Sequence, residues 1–238
     1  ITLCLLLQAN EVAFDSESFP ESLRYVNQDE NVGSLLGFNT SEEKGAGYFI
    51  AAIEFLGERY SRTDGSTGYF QNIVLGNELD FQRSYFSILP NGERAGLEVY
   101  AEEISRMGRM ANLALKKYSS GIQVTYSFTH YWNKVGPDTL EGSAYKTKEM
   151  VDRLNLLSKA QGDYDWGLAP HIYGYSLAQC NYLLFDLYSR EESGMTGDEN
   201  TGVISFSNAE VLQNYLEKDE MKFRNRTRDV FIVEARRR

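Results

Sequence analysis

Short apolar runs alternate along this chain with segments whose apolar residues recur at spacings of three and four, and that alternation sets the fold class. The apolar runs fall at residues 1–7, 73–75, 122–128, 166–172 and 230–233. Between them, Phe49, Ala52, Ile53, Leu56 and Tyr60 share one helical face. So do Leu97, Tyr100, Ile104, Met107, Met110, Ala111 and Leu115. Val151, Leu154 and Leu157 or Ser158 mark a third helix over about 147–160, and Val211, Leu212, Tyr215 and Leu216 a fourth. Strand and helix thus alternate four times before a fifth strand, which implies parallel βαβ units. A (β/α)8 barrel and a doubly wound sheet both fit this pattern. A dinucleotide-binding sheet would carry a glycine-rich turn after its first strand. Gln8-Ala9-Asn10-Glu11 stands there instead. Polar and aromatic residues cluster after every strand, on the face where barrel enzymes keep their chemistry, so the barrel is preferred.

The connecting segments are read from their punctuation. Residues 1–7 are expected to form one strand buried on both faces. Residues 8–39 and 79–96 read as loops, as does a Gly/Glu/Ser-rich stretch over about 189–205. Thr40-Ser41-Glu42-Glu43 and Ser207-Asn208-Ala209-Glu210 have capping-box spacing. No composition shift, repeat or linker splits the chain, so residues 1–238 read as a single domain. The start on a strand without Met and the end just after another strand suggest a piece of a longer barrel, truncated at both ends.

Charge and composition exclude several classes. With 34 acidic against 24 basic residues the net charge is −10, the wrong sign for a nucleic-acid surface. No run of about 18 apolar residues exists, so no membrane helix is expected. Cys4 and Cys180 are too few for a disulfide framework or metal cluster and read as buried single thiols. No Gly-x-Ser-x-Gly elbow marks a serine nucleophile. His130 and His171 are the only histidines, and neither has metal-binding spacing, so no metal and no cofactor are expected.

The chemistry-bearing residues sit at strand ends. Ile73-Val74-Leu75-Gly76 runs into Asn77-Glu78, and Val230-Phe231-Ile232-Val233 runs into Glu234. A closed parallel barrel would bring two such acids to one rim, and paired carboxylates across a pocket are the machinery of glycoside hydrolysis. Neighbouring residues on a regular strand face opposite ways. Asn77 and Glu78 can therefore share a pocket only if the strand bends or ends there, and a bulge is the specific expectation. His130 and Trp132 alternate by two, as do His171 and Tyr173, so each pair shares a face. Trp132 offers a surface for stacking on a sugar ring, or else a core tryptophan. Tyr173 could orient Glu234.

Ile73-Val74-Leu75-Gly76-Asn77-Glu78 resembles the fourth-strand motif of the clan-A glycoside hydrolases, retaining enzymes on a TIM barrel. His171-Ile172-Tyr173 resembles their sixth-strand His/Tyr segment, and Ile232-Val233-Glu234 their seventh-strand nucleophile. Within that superfamily the chain is similar to a bacterial domain family of unknown function. The stretches Asn39-Thr40-Ser41-Glu42-Glu43, Phe55-Leu56-Gly57-Glu58-Arg59-Tyr60-Ser61 and Ser127-Phe128-Thr129-His130-Tyr131-Trp132-Asn133 carry that likeness. The resemblance implies that strands three to seven of the barrel are present. It implies that Glu78 is the acid/base, Glu234 the nucleophile, and Asn77 a ligand of the sugar 2-hydroxyl. One departure from the pattern stands at the end, where Glu234 runs into Ala235-Arg236-Arg237-Arg238 rather than a glycine turn. The expected partner is a carbohydrate substrate, with no nucleic acid and no membrane, and a glycan-degrading role would suit a secreted or cell-surface protein. Two rivals remain open: a barrel that binds glycan without cleaving it, and a metal-dependent hydrolase.

Overall fold

The structure, a computed structural model, describes residues 2–8, 35–62, 64, 66–86, 88, 93–136, 143–172 and 194–233. Four parallel strands form its sheet: β1 (Thr2–Leu5), β4 (Asn72–Leu75), β5 (Gln123–Phe128) and β6 (Trp166–Pro170). Their order in the sheet is their order in the chain, β1-β4-β5-β6. A doubly wound sheet reverses direction about its first strands. This one does not, so it has the progression of a barrel sector. The protein is thus α/β, with a parallel sheet as the alternating pattern requires.

Among the described residues three long helices accompany the strands: α1 (Glu43–Tyr60), α3 (Leu97–Lys116) and α4 (Thr147–Gln161). They lie side by side, with α3 touching both α1 and α4. The apolar spacing read from the sequence is the buried face of α3: Tyr100, Ile104, Met107, Ala111 and Leu115 are all closed to solvent. Gly108 lies on that face because a Cβ there would overlap the Tyr126 hydroxyl, which bonds the Tyr164 hydroxyl beneath it. Every residue of β4, β5 and β6 is buried, the continuous burial expected of parallel strands covered on both sides.

The first run departs from expectation. It breaks at Leu6, and β2 (Leu7–Gln8) turns away to pair antiparallel with β3 (Leu35–Leu36). Nor is β1 buried on both faces. Thr2 and Cys4 are exposed while Leu3 and Leu5 are half-buried. The reason is position: β1 is the edge of the described sheet, with β4 as its neighbour there. Cys4 is therefore not the buried thiol expected, and Cys180 lies outside the described residues.

At the other edge, the Leu168 N–H donates to Asp229 O (2.9 Å) and the Phe231 N–H donates to Leu168 O (2.8 Å). The run expected as a fifth strand over 230–233 thus follows β6 in parallel, but its ladder is a single bridge at Val230. A short helix, α2 (Gln82–Tyr85), occupies part of the expected 79–96 loop.

Both capping signals need correction. Glu42 precedes α1 without a side-chain cap, and the Ser41 hydroxyl donates to Asn39 Oδ1 (2.9 Å) instead. The second box forms two residues early. Ser205 accepts from the Ser207 N–H, and Asn208 Oδ1 accepts from the Ser205 N–H (2.7 Å). That pair opens a 3-10 turn (Phe206–Asn208) that leads into α5 (Glu210–Leu216).

Candidate active site

β4 stops at Leu75, and the backbone then turns through left-handed conformations at Gly76 (φ 70°) and Glu78 (φ 43°). Gly76 suits this turn twice over. Its positive φ strains any side chain, and a Cβ there would sit 2.5 Å from Leu79 Cδ2. Glu78 carries the same strain without glycine's freedom, a cost of order 1 kcal/mol that surrounding bonds must hold. Those bonds come from β5. The Glu78 N–H donates to Ser127 Oγ (3.1 Å), and the Leu79 N–H donates to Ser127 O (2.9 Å). The strand ends at Leu75, before the Asn77-Glu78 pair, in place of the expected bulge, and both side chains are half-buried.

The Glu78 carboxylate meets the far end of β6. Its Oε1 lies 3.1 Å from His171 Nδ1, and His171 Nε2 lies 3.1 Å from Ser127 Oγ. The His171 N–H also donates to Phe128 O (2.8 Å), which anchors the residue to β5. His171 is closed to solvent, whereas the Glu78 side chain keeps 15% of its surface exposed. That combination leaves one carboxylate with a fixed neighbour and an open side.

Two residues beyond Glu78, Asp80 is wholly buried. It accepts the Thr129 N–H (2.8 Å), the Thr129 hydroxyl and the Thr147 hydroxyl (2.8 Å). Its own carbonyl accepts the Tyr145 N–H (2.8 Å). One side chain therefore ties the turn after β4 to the end of β5 and the start of α4. Burial pushes its carboxyl up to about 6 against the pull of those three donors, and the nearby Glu78 charge adds to the rise.

The other expected site residues divide. His130 is buried, its ring 4.2 Å from that of Tyr131, and burial, with a smaller electrostatic contribution from neighbouring His171, pushes its imidazole down to about 4. It is neutral near pH 7 and stands beside the site. Trp132 is only 1% exposed; its indole N–H donates to Glu199 O (3.2 Å) and its ring meets Tyr215 edge-on at 5.0 Å. No face is left for a sugar, so the core alternative describes it. Tyr173 and Glu234 lie outside the described residues.

Sequence reasoning missed Asp80, Ser127, Thr129 and Thr147. The period of two in β5 puts Thr125, Ser127 and Thr129 on one face, but nothing in the sequence says what that face meets. Among the described residues no cluster of three or more His, Cys, Asp or Glu is placed to hold a metal ion. A cavity of about 700 Å³ opens at the opposite, amino-terminal ends of the strands, lined by Gln71, Gln123, Asp165 and Asp229 among others. It holds none of the residues just described. Chemistry in parallel barrels belongs to the carboxyl-terminal ends, where Glu78 and His171 lie.

A model for a family of unknown function, DUF5722, matches residues 2–236. The chain belongs to DUF5722. No curated protein matches it. Among solved structures it is similar to a hyperthermophilic beta-glucosidase from Pyrococcus furiosus, with 15% identity and a TM-score of 0.44. A beta-glucosidase mutant derived from a hyperthermophilic tetrameric structure is similar at 16% identity and a TM-score of 0.43. Each comparison covers 82% of this chain and 42% of the other, so this DUF5722 chain spans about two-fifths of the length of either glucosidase.

Proposed function

We propose that this DUF5722 chain carries the catalytic rim of a clan-A glycoside hydrolase barrel and cleaves a glycan with retention of configuration. The observation that carries this reading is the placement of Glu78. It is a partly open carboxylate at the carboxyl-terminal end of a buried parallel strand, held on a strained turn and bonded to a histidine from another strand end. Strain persisting at such a point is a mark of function.

In the proposed reaction Glu78 protonates the glycosidic oxygen as the bond to the anomeric carbon breaks. Glu234 attacks that carbon and forms a glycosyl ester. Water then displaces Glu234, and Glu78 takes the proton the water gives up. Asn77 binds the sugar 2-hydroxyl and Tyr173 steadies Glu234. His171 holds Glu78, and His130 lines the site as a neutral imidazole. The two carboxyl groups of a retaining pair stand about 5–5.5 Å apart.

The test is a screen of chromogenic aryl glycosides, with the anomer of the first product followed by NMR. Retained configuration, loss of turnover in Glu234→Gln on every substrate, and loss in Glu78→Gln on glycosides whose leaving group needs a proton, is the expected result. A chain that binds glycan without turning any over is a carbohydrate-binding barrel, and the hydrolase reading is then wrong.

A further inference from the structure

Ser127, His171 and Glu78 form one file of side chains, with 3.1 Å at each link. The spacing is that of a serine–histidine–acid triad. Ser127 is not placed as a nucleophile, however. It is 1% exposed, and its Oγ already accepts the Glu78 N–H. Those same contacts fix where the hydrogens go. A backbone N–H can only donate, so Oγ accepts there. Were its second lone pair to accept from Nε2 as well, the buried hydroxyl hydrogen would be left without an acceptor among the described residues, so it donates to His171 Nε2 instead. A ring nitrogen that accepts carries no proton. The neutral imidazole therefore holds its proton on Nδ1 and donates it to Glu78 Oε1.

We infer that Ser127 is a positioning residue for Glu78. It locks His171 in the Nδ1–H tautomer, which keeps Oε1 an acceptor and confines the exchangeable carboxyl proton to Oε2. This rests on the reading of Glu78 as acid/base. When the leaving oxygen takes its proton, the Oε2–H bond breaks, an O–H bond forms, and the electron pair of the glycosidic bond stays on that oxygen. In the second half a water O–H bond breaks and Oε2 regains a proton. The Nδ1–H···Oε1 bond is kept throughout. Without the lock the imidazole could turn its bare nitrogen to Glu78 and draw the carboxyl proton to Oε1, away from the substrate.

The tautomer can be read directly. The chain has only two histidines, so ring-nitrogen labelling gives two spin systems, and the one lost in His171→Gln is His171. Long-range proton–nitrogen correlation at pH 7 is expected to show the Nδ1–H form in the wild-type chain. Ser127→Ala should bring in the Nε2–H form, and Ser127→Thr, which restores a hydroxyl, should restore the lock. An Nε2–H tautomer in the wild type overturns the inference, even if the alanine variant fails to fold. So does an unchanged tautomer in a folded Ser127→Ala, or covalent labelling of Ser127 by an aryl fluorophosphonate.

With an aryl glycoside of a weakly acidic phenol that the wild type turns over, Ser127→Ala should lower kcat roughly tenfold with little change in KM, a fraction of the 10²–10⁴ that general acid–base catalysis supplies. Ser127→Thr should recover it. A correct tautomer with no turnover of any glycoside would defeat the hydrolase reading alone.

Discussion

His171 Nδ1 lies 3.1 Å from Glu78 Oε1, although 93 positions separate the two residues in the chain. Only a parallel sheet that sets the ends of β4, β5 and β6 level with one another brings them together. The site therefore depends on strand register as much as on residue identity.

Glu78→Gln should cost about 10²–10⁴ in kcat on substrates whose leaving group needs a proton. The loss should shrink on aryl glycosides with strongly acidic phenols, because those leave without help. Thermal unfolding should change little, since Glu78 keeps a partly open side. Equal losses on both substrate types would remove Glu78 from the acid role.

Asp80 makes stability depend on pH with a definite sign. Its folded carboxyl is raised from 3.8 to about 6, so between those values the folded chain holds a proton that the unfolded chain has released. The contribution of this group to stability is complete below about 4 and is lost as pH rises to about 6, on the order of 3 kcal/mol at most. Asp80→Asn removes the titration. Urea unfolding across this range should show the wild type losing stability relative to the variant as pH rises, although the variant is the weaker at pH 4 because its amide nitrogen cannot accept from the Thr129 and Thr147 hydroxyls.

Two glycine-to-alanine changes should move stability in opposite directions. Gly108→Ala drives a methyl group into the Tyr126 hydroxyl and should cost about 1–3 kcal/mol or more. Gly47, exposed on α1 with open space around it, should gain up to about 1 kcal/mol as alanine. Paired thermal melts would check both, and a neutral Gly108→Ala would mean that α3 stands farther from β5.

Trp132→Ala should act on folding rather than on sugar recognition. Removing this buried ring and its contact with Tyr215 should cost about 3–5 kcal/mol. Were it a sugar platform after all, KM or glycan affinity would weaken while the melting temperature held.

The helices were legible because one face of each is apolar at spacings of three and four, as in Ile104, Met107, Ala111 and Leu115. The buried strands were legible because runs such as Ile73-Val74-Leu75 have no polar break. Glu78 and His171 were found because each follows such a run. Ser127 and Asp80 were not, because their roles come from what lies opposite them. Pairing of Leu75 with Tyr126 sets Ser127 beside the turn at Glu78, and pairing of Phe128 with Pro170 brings His171 level with it. Neither register is written in a local pattern. The exposure of Cys4 was hidden for the same reason: an apolar run does not say whether it lies at the middle or the edge of a sheet.

The antiparallel clasp of Leu7 on Leu36 and Gln8 on Leu35 joins the two ends of a long intervening segment at its base. The register of this clasp therefore fixes where the chain leaves at Gln8 and where it comes back at Leu35, so a one-residue slip here would misplace both Leu7 and Leu36 from the core they share.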